Sequence, residues 1–272
     1  MKGIILAGGS GTRLLPLTAT TSKQLLPVYD RQMIFYPLNT LIKAGIRDIL
    51  IIVSPDHSGQ FLNLLGSLFL QYGVKISFMV QKVPRGLADA FVLGEDFLDD
   101  DNVTMILGDN IFEDDFTEDI LSFVSGGRIF ATKVHDPERF GVVEFDERGK
   151  VLSIEEKPEK PKSSFAIPGI YIFDKRVSKI ASKVKPSKRG EIEITEIHNV
   201  YLREDALDIR VLEGKWFDTG TFETLMEASM FAKISNMGEK FDPIVNQAIS
   251  EYNGFIKQMS KSIILSYVKK TN

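Results

Sequence analysis

Cysteine is absent from this 272-residue chain. Disulfides, zinc–thiolate sites and thiol nucleophiles are therefore excluded, and a reducing cytoplasm suits such a composition. Histidine is scarce: His57, His135 and His198 lack metal-ligand spacing and read as surface or hydrogen-bonded side chains. Long apolar runs are missing too. The stretch 263–268 is far too short to span a bilayer, and the few residues before the first glycine cluster are too short for a signal-peptide core. The expectation is a soluble, cytoplasmic protein with no membrane partner. A net charge of −4 and a pI near 5.6 give no electrostatic footprint for nucleic acid. A few local cations can still build a positive pocket for a small anion.

What the chain does have begins with Gly8-Gly9-Ser10-Gly11-Thr12-Arg13, directly behind an apolar opening strand, residues 2–7. Three glycines in four positions let the backbone fold tightly and point several N–H groups into one space. Arg13 adds a planar cation that matches phosphate oxygens. No Gly-Lys-Ser/Thr follows, so this is not a Walker loop, and Leu14 occupies the last glycine position of a dinucleotide fingerprint. A polyphosphate cradle is the sharper reading; a glycine-rich turn is the plainer one.

Four further clusters carry chemistry. Lys23, in Ser22-Lys23-Gln24-Leu25-Leu26-Pro27, could bring an ammonium to the same phosphates, or lie solvated on the surface. Asp109, in Leu107-Gly108-Asp109-Asn110, ends an apolar strand, where open α/β sheets place ligands. A carboxylate there suits Mg²⁺, which binds through one or two carboxylates plus phosphates; an Asx turn is the alternative. Glu155-Glu156-Lys157-Pro158 could hold a sugar phosphate and its hydroxyls, or be a charged turn. Trp216-Phe217-Asp218-Thr219-Gly220 offers a second metal carboxylate, or an aromatic anchor and a helix cap. The acidic runs 99–101 and 113–115 read as solvated turns, and the cations of 185–189 as a solvated loop.

Apolar strand patterns at 4–6, 49–53, 76–80, 103–107 and 129–134 alternate early with helical patterns at 33–44 and 61–70, which predicts βαβ units and a largely parallel sheet covered on both faces. Shorter strands at 142–145, 151–154 and 166–173 predict an antiparallel or mixed extension, and helices are expected at 192–203 and 222–234. Beyond residue 236, Ile244, Val245, Ala248 and Ile249 keep helical spacing, as do apolar residues from 255 to 268. The simplest organisation is a catalytic domain over 1–235 with a helical annex over 236–272, packed on the same domain or on a neighbouring subunit.

Taken in order along residues 2 to about 230, these clusters resemble the sugar-1-phosphate nucleotidyltransferases. Gly8 to Leu14, Ser22 to Pro27, Gln81, Gly86-Leu87-Ala88, Leu107 to Phe112, Asp136 to Asp146, Glu155 to Pro158, Arg189 to Thr195 and Trp216 to Thr221 carry the likeness, and their form is nearest the thymidylyl branch. The resemblance implies a three-layer, Rossmann-like α/β fold with a mixed, mainly parallel sheet. It also implies thymidylyl transfer from dTTP to glucose 1-phosphate, with Mg²⁺ as cofactor, giving dTDP-glucose and pyrophosphate for deoxysugar and cell-surface polysaccharide synthesis. Leu6, Gly8, Gly9, Gly11 and Thr12 would meet the nucleotide, with Arg13 on the leaving pyrophosphate and Lys23 on the developing charge. Gln81 and Gly86 would read the base. Asp109 and Asp218 would hold the metal, Lys157 the sugar phosphate, and Asn110, Gly141, Glu156, Ile167 and Tyr171 the sugar. Relatives are commonly homotetramers, so a homo-oligomer is expected, a tetramer favoured. UTP or another sugar 1-phosphate would suit the same chemistry. A glycosyltransferase would show Asp-x-Asp where Asp109 is followed by Asn110 and Ile111, and a non-catalytic sensor would not need Arg13, Lys23 and both aspartates.

Overall fold

The structure is a computed structural model. It describes the backbone of residues 1–9 and 11–271, and side chains as far as residue 260 apart from Ser10. Ser10 of the glycine run and the apolar side chains of 263–268 therefore lie outside the described residues. From the N-terminus, β1 (Lys2–Ala7) is followed by the two-residue strands β2 (Pro27–Val28) and β3 (Arg31–Gln32) and then α1 (Phe35–Lys43). Next come β4 (Asp48–Val53), α2 (Ser58–Leu65), β5 (Lys75–Val80), α3 (Asp89–Leu93), α4 (Glu95–Leu98) and β6 (Val103–Leu107). The middle of the chain gives β7 (Asn110–Phe112), α5 (Thr117–Leu121), β8 (Gly127–Lys133), β9 (Gly141–Phe145), β10 (Val151–Glu156), β11 (Phe165–Ala166) and β12 (Ile170–Phe173). It closes with α6 (Val177–Ala181), α7 (Ile194–Arg203), β13 (Leu207–Val211), β14 (Trp216–Asp218), α8 (Phe222–Ile234) and α9 (Pro243–Thr271).

One mixed sheet runs β10-β9-β11-β8-β12-β6-β1-β4-β5, with β13 added on β8. The block β6-β1-β4-β5 is parallel, whereas β12 pairs antiparallel with both β6 and β8. Strands of the parallel block read as unbroken apolar runs because both faces are covered. Ile5 and Ala7 of β1 enter one core with Ile49, Ile51 and Val53 of β4, while Ile4 and Leu6 enter the other with Leu50 and Ile52. The first core is roofed by α1, α2, α5, α8 and α9, the second by α3, α4, α6 and α7. This is the three-layer α/β arrangement the sequence predicts. Each fully buried Ile or Phe contributes roughly 1.5–3 kcal/mol by leaving water, so these two cores fix the sheet whose strand ends border the site.

β1 has β4 on one side and β6 on the other, so the strand order reverses there, and the crevice beyond the C-terminal ends of β1 and β6 is where open α/β sheets bind ligands. The Gly8 turn leaves β1 and the Gly108 turn leaves β6 side by side, the Gly108 N–H donating to the Leu6 carbonyl at 2.9 Å.

Several features differ from the sequence expectation: the helix expected over 61–70 ends at Leu65, and α3, α4, α5 and α6 were not expected. The strand expected over 166–173 is broken between β11 and β12, where Pro168 supplies no N–H to a ladder. β7 and β14, for which no strands were expected, form a two-stranded antiparallel ribbon beside the main sheet. β13 was not expected at all. Among the helices, α8 opens on a capping box: the Thr224 N–H donates to the Thr221 hydroxyl at 3.3 Å, and the Thr221 N–H donates back to the Thr224 hydroxyl at 3.1 Å. Its outer face carries Phe222, Met226, Met230 and Ile234, one turn apart and all exposed. α9 buries Val245 and Ala248, with Ile244, Ile249 and Tyr252 packed against the first core. Its start is fixed where the Asp242 N–H donates to Asn39 Oδ1 at 2.7 Å. Among the described residues no helix is long and apolar enough to cross a membrane.

Candidate active site

Asp109 and Asp218 are 109 positions apart, and the β7–β14 ribbon joins them. Asp218 pairs across the ribbon with Asn110, the residue after Asp109. The Asp109 carbonyl accepts from both the Thr219 N–H (3.1 Å) and the Thr219 hydroxyl (2.7 Å), which locks the two segments together. Lys23 reaches the same place and forms an ion pair with the Asp109 carboxylate. Burial pushes the Asp109 carboxyl up, but the Lys23 ammonium and the Asn110 amide outweigh it and hold the group below the usual carboxylate range. Asp218 goes the other way: burial, then the Asp109 charge, hold it above that range, against the pull of Lys23, Arg13 and Arg139. Among the described residues no protein group donates a hydrogen bond to the Asp218 carboxylate. Two converging carboxylates in a half-dry site need a cation between them.

That donor set fits a divalent metal. No third acidic or imidazole ligand joins the pair among the described residues, which matches an ion that takes its remaining ligands from phosphate oxygens and water.

Asn110 ties the site together. It is buried, and its Oδ1 accepts from the Trp216 indole N–H at 2.6 Å and from the Gly169 N–H at 3.0 Å, while its amide donates to Asp109 Oδ1 at 3.0 Å. The single tryptophan thus serves as more than an aromatic anchor. Its other face meets Phe140 edge-on at 5.2 Å, and Phe140 in turn lies under the Arg139 guanidinium.

Arg13 comes to this site from the glycine loop. Its guanidinium packs so closely on Gly220 that a Cβ there would sit 2.6 Å from Nη2, so any side chain at 220 would dislodge it. Gly11 takes a left-handed φ of 58°, and its carbonyl accepts from the Thr18 hydroxyl at 2.8 Å; that conformation turns the loop. Thr12 starts the short helical turn carrying Arg13. Leu6 is buried at the end of β1, its side chain in the core.

Two clefts lie here, one opening from this centre and one bordered by the glycine loop. The first, about 320 Å³, runs from Arg13, Asp109 and Asp218 past Asn110, Gly141, Glu156, Lys157, Ile167 and Tyr171. Lys157 sits there at φ 43°, a strained conformation for a non-glycine residue. Its N–H donates to the Phe140 carbonyl at 2.9 Å. Glu156 is held above the ordinary carboxylate range by burial and then by the Glu193 charge, with Lys157 and Arg189 opposing. The second cleft, about 460 Å³, is lined by Gly8, Gly9, Gln81 and the 54–57 turn. A Cβ on Gly8 would lie 3.4 Å from Gln81 Oε1, so that carbonyl faces the glycine loop. Gly86 lies against the Ile192 backbone with φ 105°, where a Cβ would clash at 2.5 Å.

Several residues of this constellation were not legible beforehand. Asp89 is buried and holds the Gln81 amide at 2.8 Å and Arg85 at 2.7 Å, fixing which end of Gln81 meets a ligand. Arg139 lines the first cleft. Arg189 lies in the exposed loop expected over 185–189 and, beyond that expectation, bonds Glu193 at 2.9 Å and reaches Glu156 at 3.3 Å. Asp114, expected in a solvated turn, has a side chain only 4% exposed and paired with Arg210 at 2.9 Å. His198 is neither at the surface nor hydrogen-bonded: it is fully buried and both ring nitrogens lack a partner.

Residues 2–234 match the family model for nucleotidyl transferases. The chain belongs to the nucleotidyl transferase family. It is 50% identical over 240 residues to a glucose-1-phosphate thymidylyltransferase of Neisseria meningitidis serogroup A, covering 86% of this chain and 83% of the relative. It is 48% identical over 261 residues to one from Mycolicibacterium smegmatis, covering 94% and 90%. Among solved structures, a Bacillus anthracis protein provisionally assigned as a glucose-1-phosphate thymidylyltransferase, in complex with a sucrose, superposes with a TM-score of 0.80 at 43% identity, over 86% of this chain and 95% of that one. A UDP-glucose pyrophosphorylase complexed with UDP-glucose gives 0.73 at 25% identity, over 86% and 98%. The nucleotidyl transferase match ends at residue 234, so it includes both carboxylate segments and leaves out α9.

Proposed function

We propose that this nucleotidyl transferase moves the thymidylyl group of dTTP to glucose 1-phosphate, releasing pyrophosphate and giving dTDP-glucose. The observation that carries the reading is the convergence of Asp109, Asp218, Lys23 and Arg13 at one end of a cleft whose other walls carry Lys157 and Glu156. A phosphate oxygen of the sugar phosphate attacks the α-phosphorus, and the bond from that phosphorus to the bridging oxygen breaks as pyrophosphate leaves. No covalent intermediate is needed, so catalysis is alignment plus charge stabilisation.

Each residue then has a task. Arg13, seated on Gly220, takes the leaving pyrophosphate. Lys23 gives up part of its hold on Asp109 to meet charge building on the transferring phosphoryl oxygens. Lys157 grips the sugar phosphate and Glu156 accepts from sugar hydroxyls, while Gln81, oriented by Asp89, reads the pyrimidine edge. Asp109 and Asp218 would hold Mg²⁺, which when bound would supply charge neutralisation for the two anionic substrates. A cysteine-free chain is at home in the cytoplasm, and the exposed apolar stripe on α8 supports assembly into a homo-oligomer; the tetramer rests on the family resemblance alone. Light scattering at micromolar concentration tests this, and a monomer mass rules it out.

The decisive assay is pyrophosphate release with dTTP, glucose 1-phosphate and Mg²⁺, each omitted in turn, with UTP as a competing nucleotide. Release should require all three. Equal release from dTTP alone would overturn the reading. UTP should serve more slowly, since one methyl in an apolar pocket is worth only ~1–3 kcal/mol.

A further inference from the structure

The sugar-side cleft ends on a polar group that has nothing to bind. His198 of α7 is fully buried, and neither Nδ1 nor Nε2 has a hydrogen-bond partner. It packs between Tyr171, at 5.2 Å between ring centroids, and Phe173, at 5.7 Å and stacked. It nevertheless lines the same cleft as Asp109, Glu156 and Tyr171, and so do Ile194 and Thr195 one turn earlier on α7. One face of the helix therefore looks into the cleft. The next buried polar ring on that helix, Tyr201, is satisfied: its hydroxyl donates to Asp174 at 2.8 Å. The unpartnered group is the one that borders the cleft.

Burial draws the imidazole down to about 3, so the ring is neutral at working pH. A neutral imidazole offers one N–H and one lone pair. Leaving both unmade in a buried site is costly, and a ligand that makes one of them recovers part of that cost. The two nitrogens point apart, so one hydroxyl meets one of them, accepting from the N–H or donating to the lone pair. A phosphate does not match a neutral ring as well as it matches Arg13 and Lys157 nearer the cleft mouth.

We propose that His198 is a specificity-determining residue that hydrogen-bonds one hydroxyl of the hexose at the floor of the cleft. This rests on the sugar-1-phosphate reading of that cleft. It makes α7 a sugar-recognition helix whose contact with the ligand lies beneath Tyr171, away from the reacting phosphates.

The test compares wild type with His198→Phe, which keeps the ring and loses both nitrogens, and with His198→Asn, which keeps a donor and an acceptor. Steady-state constants are measured for dTTP, for glucose 1-phosphate and for its monodeoxy analogues. His198→Phe should raise the KM for glucose 1-phosphate roughly five- to tenfold, the scale of one lost hydrogen bond. It should leave the dTTP KM within about twofold and erase the preference for glucose over one monodeoxy analogue only. His198→Asn should restore part of that preference. His198→Phe with wild-type discrimination against every analogue, in an active enzyme, would overturn the proposal and leave the function standing. A wild type that releases no pyrophosphate would instead sink the function itself. If both variants fail to fold, the wild-type imidazole ¹⁵N spectrum decides, with only three histidines to resolve. dTDP-glucose should shift the His198 nitrogens and dTDP alone should not; equal shifts, or none, would refute the assignment.

Discussion

Replacing Asn110 by alanine tests whether one buried amide holds the catalytic centre together. In the folded protein Asn110 Oδ1 is the acceptor for two donors, the Trp216 indole N–H at 2.6 Å and the Gly169 N–H at 3.0 Å. Alanine leaves both without it. An orphaned buried donor costs about 1–3 kcal/mol; Gly169 is buried throughout, while the indole sits beside the cleft and can recruit water. The expected loss is therefore about 2–5 kcal/mol in urea unfolding, towards the lower end if water enters. Trp216→Phe removes one donor and leaves Asn110 bonded to Gly169, so it should cost less, about 0.5–1.5 kcal/mol from this bond. The pair is the sharper measurement. Once Trp216→Phe has removed the indole N–H, Asn110→Ala has only one donor left to orphan, so the double variant should cost less than the sum of the singles. Trp216 is the sole tryptophan, so unfolding must be followed by circular dichroism in these variants. Strict additivity, or an Asn110→Ala protein within about 0.5 kcal/mol of wild type, would show that the amide is not the joint described here.

Asp109→Asn and Asp218→Asn should each abolish most turnover while the protein stays folded, and chelation should stop the wild type reversibly; full activity of both variants in chelator would reduce these residues to strand and helix ends. Arg13→Ala should lower kcat by a factor on the order of 10² to 10³, whereas Lys157→Ala should raise the KM for glucose 1-phosphate with dTTP binding nearly intact, checked by separate titration of each substrate. His198 also predicts an acid weakness. Its imidazole is lowered from 6.5 to about 3 in the folded chain, so below pH 6.5 the unfolded state takes a proton the native state refuses. Stability contributed by the neutral ring is complete above pH 6.5 and is lost as pH falls towards 3, at up to ~1.4 kcal/mol per unit. Between pH 6.5 and 5 the wild type should lose roughly 2 kcal/mol that His198→Phe does not lose; parallel pH profiles would contradict this.

The parallel half of the fold was legible because its strands are buried on both faces and so read as plain apolar runs. Val103–Leu107 and Phe222–Ile234 begin and end where the sequence pattern places them. The short ribbon was not, since three residues such as Trp216–Asp218 show no period and look like a turn. β13 carries an alternation, with Asp208 and Arg210 between Leu207, Ile209 and Val211, that was there to be read. At the site, residues that could meet phosphate stand out by charge and by glycine. Residues that act on those residues do not: Asp89 matters because it orients Gln81, and Asn110 because of Trp216 and Gly169, and such pairings exist only after folding. Buried histidine is hidden for a related reason. Nothing in Glu196-Ile197-His198-Asn199 says that the third residue faces a cleft rather than water.

The β7–β14 ribbon also dictates when this site can first be complete. As the chain is made, the glycine loop, Lys23 and Asp109 emerge in its first half. Asp218 and the Gly220 seat for Arg13 arrive only after nine of the ten strands of the main sheet and their last addition, β13, have been laid down. A chain halted anywhere before β14 therefore lacks both Asp218 and the Gly220 seat, and the paired-carboxylate arrangement exists only once the ribbon has closed.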